Sequence, residues 1–306
     1  MHLDYIRSFC RVVKVKSITK AAKEMHLSQP ALSLQINCLE SRLGTKLLER
    51  TNRGVKLTPS GELLYRHGQR LLKIVDTLER DLQDMRNPAG RSLKISASPY
   101  PGTYILPLKI LDFAKDNPES KFSVSIKPMR EVIESLVDRT TNIGVISGPL
   151  PPGTASILEA EKISCFPLSQ DHIVAVCNRS SHWAGKEYSL EELRSLPLVL
   201  LNRNYGSRLA IEQGLEKLNF SARQLNIVLE LENCAAIVSA VKANAGIGLV
   251  PRLACAGCAD LEELSVPDLD IPVATSLLTT AAMAKTQAVQ NLIDFLSCQE
   301  DTDYTA

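Results

Sequence analysis

The stretch from Ser17 to Ile36 constrains this chain more than any other. Thr19 is placed to N-cap a short helix, with Ala21, Ala22 and Met25 following at helical spacing. Leu27 fills a turn. Ser28 then caps a second helix, and Pro30 sits in its first turn, where a missing N–H costs nothing. Leu32, Ile36, Leu39 and Leu43 make the inward stripe of that helix, leaving Gln29, Ser33, Gln35 and Asn37 outside. Amide and hydroxyl groups, rather than Lys and Glu, are the types that read base edges, and a helix fits the major groove. The pattern predicts a helix-turn-helix whose second helix reads DNA with its N-terminal residues. An ordinary helical hairpin with a polar solvent face is the competing reading.

The flanks separate the two. Leu3, Ile6, Phe9, Val12 and Val13 predict a bracing helix over residues 3–15. Residues 46–58 alternate and carry Arg50, Arg53, Gly54 and Lys56, which predicts a two-stranded wing tipped by residues 52–54. Basic groups there would contact phosphates, fixing register without reading sequence; Arg50 equally suits an internal ion pair. Ser17, Thr19, Ala21-Ala22, Leu27 to Ala31, Ser33, Leu39-Glu40, Leu43-Gly44, Arg50 and Leu57-Thr58 follow in order. On these residues the run from Leu3 to Gly61 resembles the winged helix-turn-helix of the LysR-type transcriptional regulators. Leu48 departs from it, standing where that family usually has Phe, a packing change under the wing. The resemblance implies DNA contacts from Thr19, Ser28, Gln29, Pro30, Ser33, Gln35, Arg50 and Arg53.

Thr58-Pro-Ser-Gly61 opens a helix running to about residue 87. Within it Leu64, Gly68, Leu71, Val75, Leu78, Leu82 and Met85 fall at alternating steps of four and three, the a/d seam of a two-helix coiled coil. In the resembled family this helix joins two domains and pairs subunits, so that two recognition helices meet a dyad-symmetric operator. The partners implied are double-stranded promoter DNA and further copies of the chain, as homodimer or homotetramer. Charge divides nearby: residues 1–91 hold 17 Lys+Arg against 9 Asp+Glu, and residues 92–306 hold 18 against 25. A head of +8 on a body of −7 suits a polyanion-binding head on a body that does not bind nucleic acid.

Asn87-Pro-Ala-Gly90 reads as a linker. Beyond it strands alternate with helices: strands near residues 93–97, 122–126, 142–147, 172–177, 198–201, 225–231, 247–250 and 275–279, with amphipathic segments between them. That order predicts an α/β fold with a mainly parallel sheet covered on both faces. It resembles the two-lobed, periplasmic-binding-protein-like effector domain of the same family. The expected organisation is a winged helix-turn-helix over 1–58, a linker and dimerisation helix over 59–90, and an effector-binding domain over 91–306. Lobe 1 would span about 91–163 and 268–300, and lobe 2 about 164–267.

In open α/β sheets a ligand sits beyond the carboxyl ends of the strands, often at helix N-termini. Residues 97–103, Ser147-Gly148, residues 202–208 and Asn233-Cys234 occupy such places. The resemblance, with its Ser/Thr-rich turn and its Gly-Ser/Thr-Arg stretch, implies effector contacts from Ser98, Thr103, Asn202, Ser207 and Arg208. Tyr100, Gly102, Ser147 and Asn233 join them by position. Hydroxyls and N–H groups at helix starts favour an organic or inorganic anion. Pro99 and Pro101 remove donors from the first turn, and Tyr100 puts a ring there, which points to an effector that is not a simple small anion, to an aromatic contact with the effector, or to packing at the lobe interface.

No apolar run approaches the about 18 residues of a membrane span, and the N-terminus has no signal-peptide pattern. Cysteines 10, 38, 165, 177, 234, 255, 258 and 298 are scattered, which suits a reducing cytoplasm. Cys255 and Cys258 form a CxxC without a second ligand pair, so neither a metal nor a cofactor is expected. Gly246-Ile-Gly248 lacks the third glycine of a dinucleotide fingerprint. Walker A, HExxH and GxSxG sequences are missing, and the five histidines show no catalytic pairing. The reading is a non-enzymatic regulator controlled by a small molecule bound between two lobes. Alternatives are the same regulator switched by cysteine oxidation and, more remotely, an enzyme with a regulatory DNA-binding head.

Overall fold

The computed structural model describes residues 2–51, 54–86 and 92–298, with only the backbone described at a few of these. Two compact units divide near Pro88. The first contains α1 (Leu3–Val15), α2 (Ile18–Glu24), α3 (Gln29–Leu43), β1 (Leu48–Thr51), β2 (Gly54–Leu57) and α4 (Pro59–Arg86). Ile6, Phe9 and Val12 of α1, Ala21 and Ala22 of α2, and Leu32, Ile36 and Leu39 of α3 meet in one core. The β1–β2 hairpin pairs Leu48 with Leu57 and Arg50 with Val55. It is tied back by a hydrogen bond from the Val55 N–H to the Lys16 carbonyl.

Three local expectations need correction. The cap of α2 is Ser17, whose hydroxyl accepts from the Lys20 N–H; Thr19 lies inside the helix. Starting at Ile18 keeps Ile18, Ala21, Ala22 and Met25 on the core. Leu43 is exposed rather than inward, because α3 ends there and Gly44 turns the chain away with φ 66°. The seam of α4 is split along its length. Leu64 and Leu72 pack into the head's own core. Gly68 lies where a Cβ would come within 2.9 Å of Ile6. Leu71, Ile74, Leu78 and Leu82 stay exposed. The wing tip, the linker at 87–90 and the side chain of Met85 lie outside the described residues.

The second unit is a sheet in the order β4-β3-β5-β11-β6-β9-β7-β8, with β10 also paired to β6. Its first half holds β3 (Ser92–Ala97), β4 (Lys121–Ile126) and β5 (Ile143–Ser147), mutually parallel and flanked by α5 (Leu106–Asp116), α6 (Met129–Val137) and α7 (Thr154–Ala160). Its second half holds β7 (Leu198–Leu201), β8 (Ile227–Leu231) and β9 (Ile247–Pro251), also parallel. These are flanked by α8 (Leu190–Leu193), α9 (Gly206–Lys217) and α10 (Cys234–Lys242). Strands with helices between them, buried on both faces, account for the wholly apolar runs Leu198–Leu201 and Ile247–Pro251.

Two strands cross between the halves. β6 (Ile163–Asn178) is one continuous strand, longer than the expected 172–177; it pairs with β11 (Pro272–Thr280) over Ile163–His172 and with β9 over Ile173–Val176. β10 (Leu261–Glu263) closes against its far end, and α11 (Ala281–Ala284) and α12 (Gln287–Cys298) return to the first lobe. One apolar cluster runs from Ile95 and Leu106 through Val174 to Val199 and Ile237, joining the lobes beneath the cleft. No helix among the described residues is long and apolar enough to cross a membrane.

Candidate functional site

The outward face of the head is built by capping and burial. Ser28 caps α3, its hydroxyl accepting from the Ala31 N–H at 3.3 Å. With Leu32 and Ile36 inward, Ser28, Gln29 and Pro30 are left exposed at the helix start. Thr19 is also exposed, in the first turn of α2. Ser33 is half-buried, its hydroxyl without a hydrogen-bond partner among the described residues. It lines a 260 Å³ pocket with Asn37, Glu40 and Lys46. Gln35 differs from the rest: its carbonyl oxygen accepts from the buried Ser8 hydroxyl at 2.5 Å, which anchors α3 to α1. Arg50 pairs with Val55 through β1; its side chain and all of Arg53 lie outside the described residues.

Glu40 belongs to the sequence pattern above, which gives it no role of its own. It is 6% exposed. One oxygen accepts from the Leu47 N–H at 2.9 Å and the Leu48 N–H at 3.3 Å, and the other accepts from Lys46 Nζ at 2.7 Å. Burial pushes the carboxyl pKa up, but Lys46 and the two N–H groups outweigh it and hold the group below the usual carboxylate range. The carboxylate fastens α3 to the start of β1. The signal was an acid beside Leu39, one turn after Ile36, on an otherwise apolar face.

The cleft of the second unit gathers five of the nine expected residues. Ser98, Tyr100, Ser147, Ser207 and Asn233 line it, with Met129, Leu201, Tyr205, Gly206 and Cys234. The lobes close on each other there. A Cβ on Gly206 would lie 1.7 Å from the Ser147 carbonyl oxygen, and one on Gly148, at φ +80°, would lie 2.2 Å from the Gly206 oxygen. The remaining space is about 10 Å³, room for one water molecule at most.

Three of the polar side chains in the cleft are already engaged. The Ser98 hydroxyl accepts from the Ser147 N–H at 3.2 Å, and Asn233 caps α10 by accepting from the Ala236 N–H at 2.8 Å. The Tyr100 hydroxyl donates to Asp171 at 2.5 Å, and that carboxylate also accepts from the Leu253 and His172 N–H groups. Burial first, and then the Asp171 charge, push the Tyr100 pKa upward.

Gly102, Thr103, Asn202 and Arg208 lie outside the lining. After Tyr100 the chain winds into a π-helical turn, Pro101–Ile105. There Gly102 packs on Ala97 and Ile126, and Thr103 faces solvent. Asn202 works through its backbone, its N–H bonded to the Leu231 carbonyl at the end of β8. Arg208 is fully buried, donating to Glu212, Glu230 and the Leu201 carbonyl, with Nη2 left unpartnered among the described residues.

Cys234, in the cleft lining, belongs to one apolar cluster with Cys255, Cys258 and Tyr104. Burial first, then neighbouring ionisable groups, push Cys234 up to about 12 and Cys255 up to about 11. A separate groove of 370 Å³ lies between β6 and residues 263–270; Arg252 is already paired with Glu263 there, and His172 with Asp270.

Comparison with known proteins agrees with this architecture. Residues 3–62 match the bacterial regulatory helix-turn-helix protein, lysR family, and residues 86–300 match the LysR substrate binding domain. A probable RuBisCO transcriptional regulator of Thalassiosira pseudonana is 29% identical over 94% of each chain. The crystal structure of CbnR, a LysR family transcriptional regulator, is similar with a TM-score of 0.74 at 21% identity, over 98% of this chain and 100% of that one. Full-length CbnR complexed with its target DNA gives 0.72 at 22% identity, over 97% and 99%. With both halves matched in this order on a winged helix-turn-helix and a two-lobed α/β unit, the chain belongs to the LysR family and is a LysR-type transcriptional regulator.

Proposed function

We propose that α3 reads an operator in the major groove through Gln29, Pro30 and Ser33, with Thr19, Ser28 and the wing arginines Arg50 and Arg53 holding register on the backbone. The observation that carries this reading is the exposed, uncharged start of α3, capped by Ser28 and held rigidly by the head's core. Gln35 contributes by anchoring α3 to α1 rather than by touching bases. Two copies pair through the exposed seam Leu71, Ile74, Leu78 and Leu82 of α4, as dimer or tetramer, and present two heads to a dyad. The setting is the cytoplasm, and the protein acts as a regulator without catalysis. A linker over 59–90, which contains α4, separates a DNA-binding domain over 1–58 from an effector domain over 91–306.

The effector is a small organic or inorganic anion taken up between the lobes. Ser98, Ser147, Ser207 and Asn233 supply polar groups there. The cleft holds no room for such a ligand while Gly206 lies against Ser147, so binding requires the lobes to part. The ligand shifts the equilibrium only by its preference for the parted arrangement.

The test is fluorescence anisotropy with a labelled duplex from upstream of this protein's own gene, against a scrambled duplex, over a salt series. Preferential binding that weakens with salt, and again on Gln29→Ala or Ser33→Ala, is the expected result. Absence of binding to any duplex by folded protein would overturn it. The bound duplex then serves to screen anions for a change in affinity.

A further inference from the structure

Leu34 is 63% exposed, the most exposed large apolar side chain among the described residues of the head. It stands on the helix proposed to read DNA. Its neighbours fix the direction. Leu32 and Ile36 are buried, and Gln35 is bonded to Ser8 of α1. On a 3.6-residue period Leu34 therefore shares the outer face with Pro30 one turn before and with Asn37 and Cys38 one turn after, all exposed. Nothing in the head's own core needs this leucine, and an isobutyl group in water gains nothing for the folded chain.

The α3 residues around it carry no charge. From Ser28 to Leu39 there is no Lys, Arg, Asp or Glu, and the next residue, Glu40, is turned inward onto Lys46 and β1. Guanine presents two acceptors to the major groove and is most often read by a bidentate Arg or Lys. Adenine suits an amide. Thymine alone among the four bases offers a methyl group. A reading helix with amides at Gln29 and Asn37, a hydroxyl at Ser33, one prominent leucine and no cation of its own before Arg42, the adjacent Lys46 being paired with Glu40, has the chemistry of A·T pairs. The cations nearest in sequence are Arg42, in the last turn of α3 two turns beyond Leu34, and Lys23 and Lys20 on α2, the helix that crosses the phosphate backbone in this motif.

We propose that Leu34 packs on the C5-methyl of a thymine in each half-site and makes that base pair a specificity-determining position. The strip of groove under α3 is then read as A·T in preference to G·C. This role for Leu34 rests on α3 being the DNA-reading helix.

The experiment uses the full-length protein and Leu34→Ala, both checked for folding by circular dichroism. A duplex pool with a randomised centre is selected against each. The wild-type selection is expected to fix a thymine at one position per half-site, which relaxes in the Leu34→Ala selection. Anisotropy then compares the wild-type consensus duplex with the same duplex carrying deoxyuridine at that thymine, which removes only the methyl. Wild-type affinity is expected to fall about three- to fivefold per half-site, the worth of one buried methyl. Leu34→Ala should bind both duplexes within about a factor of two. An equal loss in the two proteins, or a consensus without a fixed thymine, overturns the role of Leu34 and leaves DNA reading by α3 standing. No enrichment from the pool by folded wild-type protein overturns both.

Discussion

The head and the cleft carry similar polar residues in opposite conditions. At the start of α3, Gln29 and Pro30 face outward from a core that is complete without them. In the cleft, Ser98 is bonded to Ser147, Tyr100 to Asp171 and Asn233 to its own helix. On the proposed reading, the surface that meets DNA keeps its groups open and their scaffold fixed, and the site that changes state keeps several of its groups already bonded, so that a ligand has to replace contacts already made. The difference predicts that changes in the head act on binding through the scaffold, and changes in the cleft act on the balance between closed and parted lobes.

The largest effect is expected at Glu40. Glu40→Ala removes the acceptor of the Leu47 and Leu48 N–H groups, buried or half-buried at the start of the wing. Leaving such donors unmet costs about 3 kcal/mol, read as a lower urea midpoint for the head, and the loosened wing should lower DNA affinity at every sequence alike. Glu40→Gln keeps an acceptor and should lose less. The pH dependence has a definite sign. A carboxyl held below its unfolded value of about 4.3 contributes fully above that pH, and its contribution fades as acid titrates the folded form. The gap between wild type and Glu40→Gln should therefore narrow below about pH 4. A constant gap through that range would place the role of Glu40 elsewhere.

Next comes the contact that closes the cleft. A methyl on Gly206 overlaps the Ser147 carbonyl oxygen, so Gly206→Ala must shift α9 or β5. Overpacking of this kind costs about 2 kcal/mol and should lower the melting temperature. If closure is the state the effector opposes, the same variant should bind its anion more tightly despite being less stable. Weaker binding together with lower stability would make Gly206 a folding residue only.

Much of the head was legible because its signals are local. Ser28 and Pro30 mark a helix start within three residues, and the structure keeps that start. Ser17 and Thr19 are both capping types two positions apart, and only the packing of Ile18 on the core decides between them. The inward turn of Gln35 depends on Ser8, on a different helix, and no spacing rule in α3 reveals it. In the second unit, strand–helix alternation gave the layers, and five candidate residues reached one cleft because strand ends and helix starts meet there. Arg208 was misplaced by the same rule: its long side chain reaches back to Leu201 and Glu230 instead of forward into the cleft.

A smaller effect is expected at Tyr100. Tyr100→Phe keeps the ring and removes one hydrogen bond to Asp171, which retains the Leu253 and His172 N–H groups. The loss should be about 1 kcal/mol in stability. Effector affinity should be unchanged or slightly raised if the hydroxyl only latches the lobes. A large fall would instead make that hydroxyl a ligand contact and move Tyr100 from the latch to the binding surface.

The smallest effect is expected at the cysteines, and it separates control by a ligand from control by oxidation. Thiolate, not thiol, is the form that peroxides and alkylating agents attack. With Cys234 pushed up to about 12 and Cys255 to about 11, both remain protonated at neutral pH. Alkylation of Cys255 in the folded protein should be slow at pH 7.5 and should climb steadily toward pH 11. Replacing Cys234, Cys255 and Cys258 by serine or alanine should leave the DNA response to the effector within about twofold, because no step of lobe closure uses a thiolate. A response abolished by that replacement, with DNA binding itself intact, would mean that Cys234 in the cleft and the thiols packed with it do the sensing, and that the hydrogen-bonded groups beside them take no ligand.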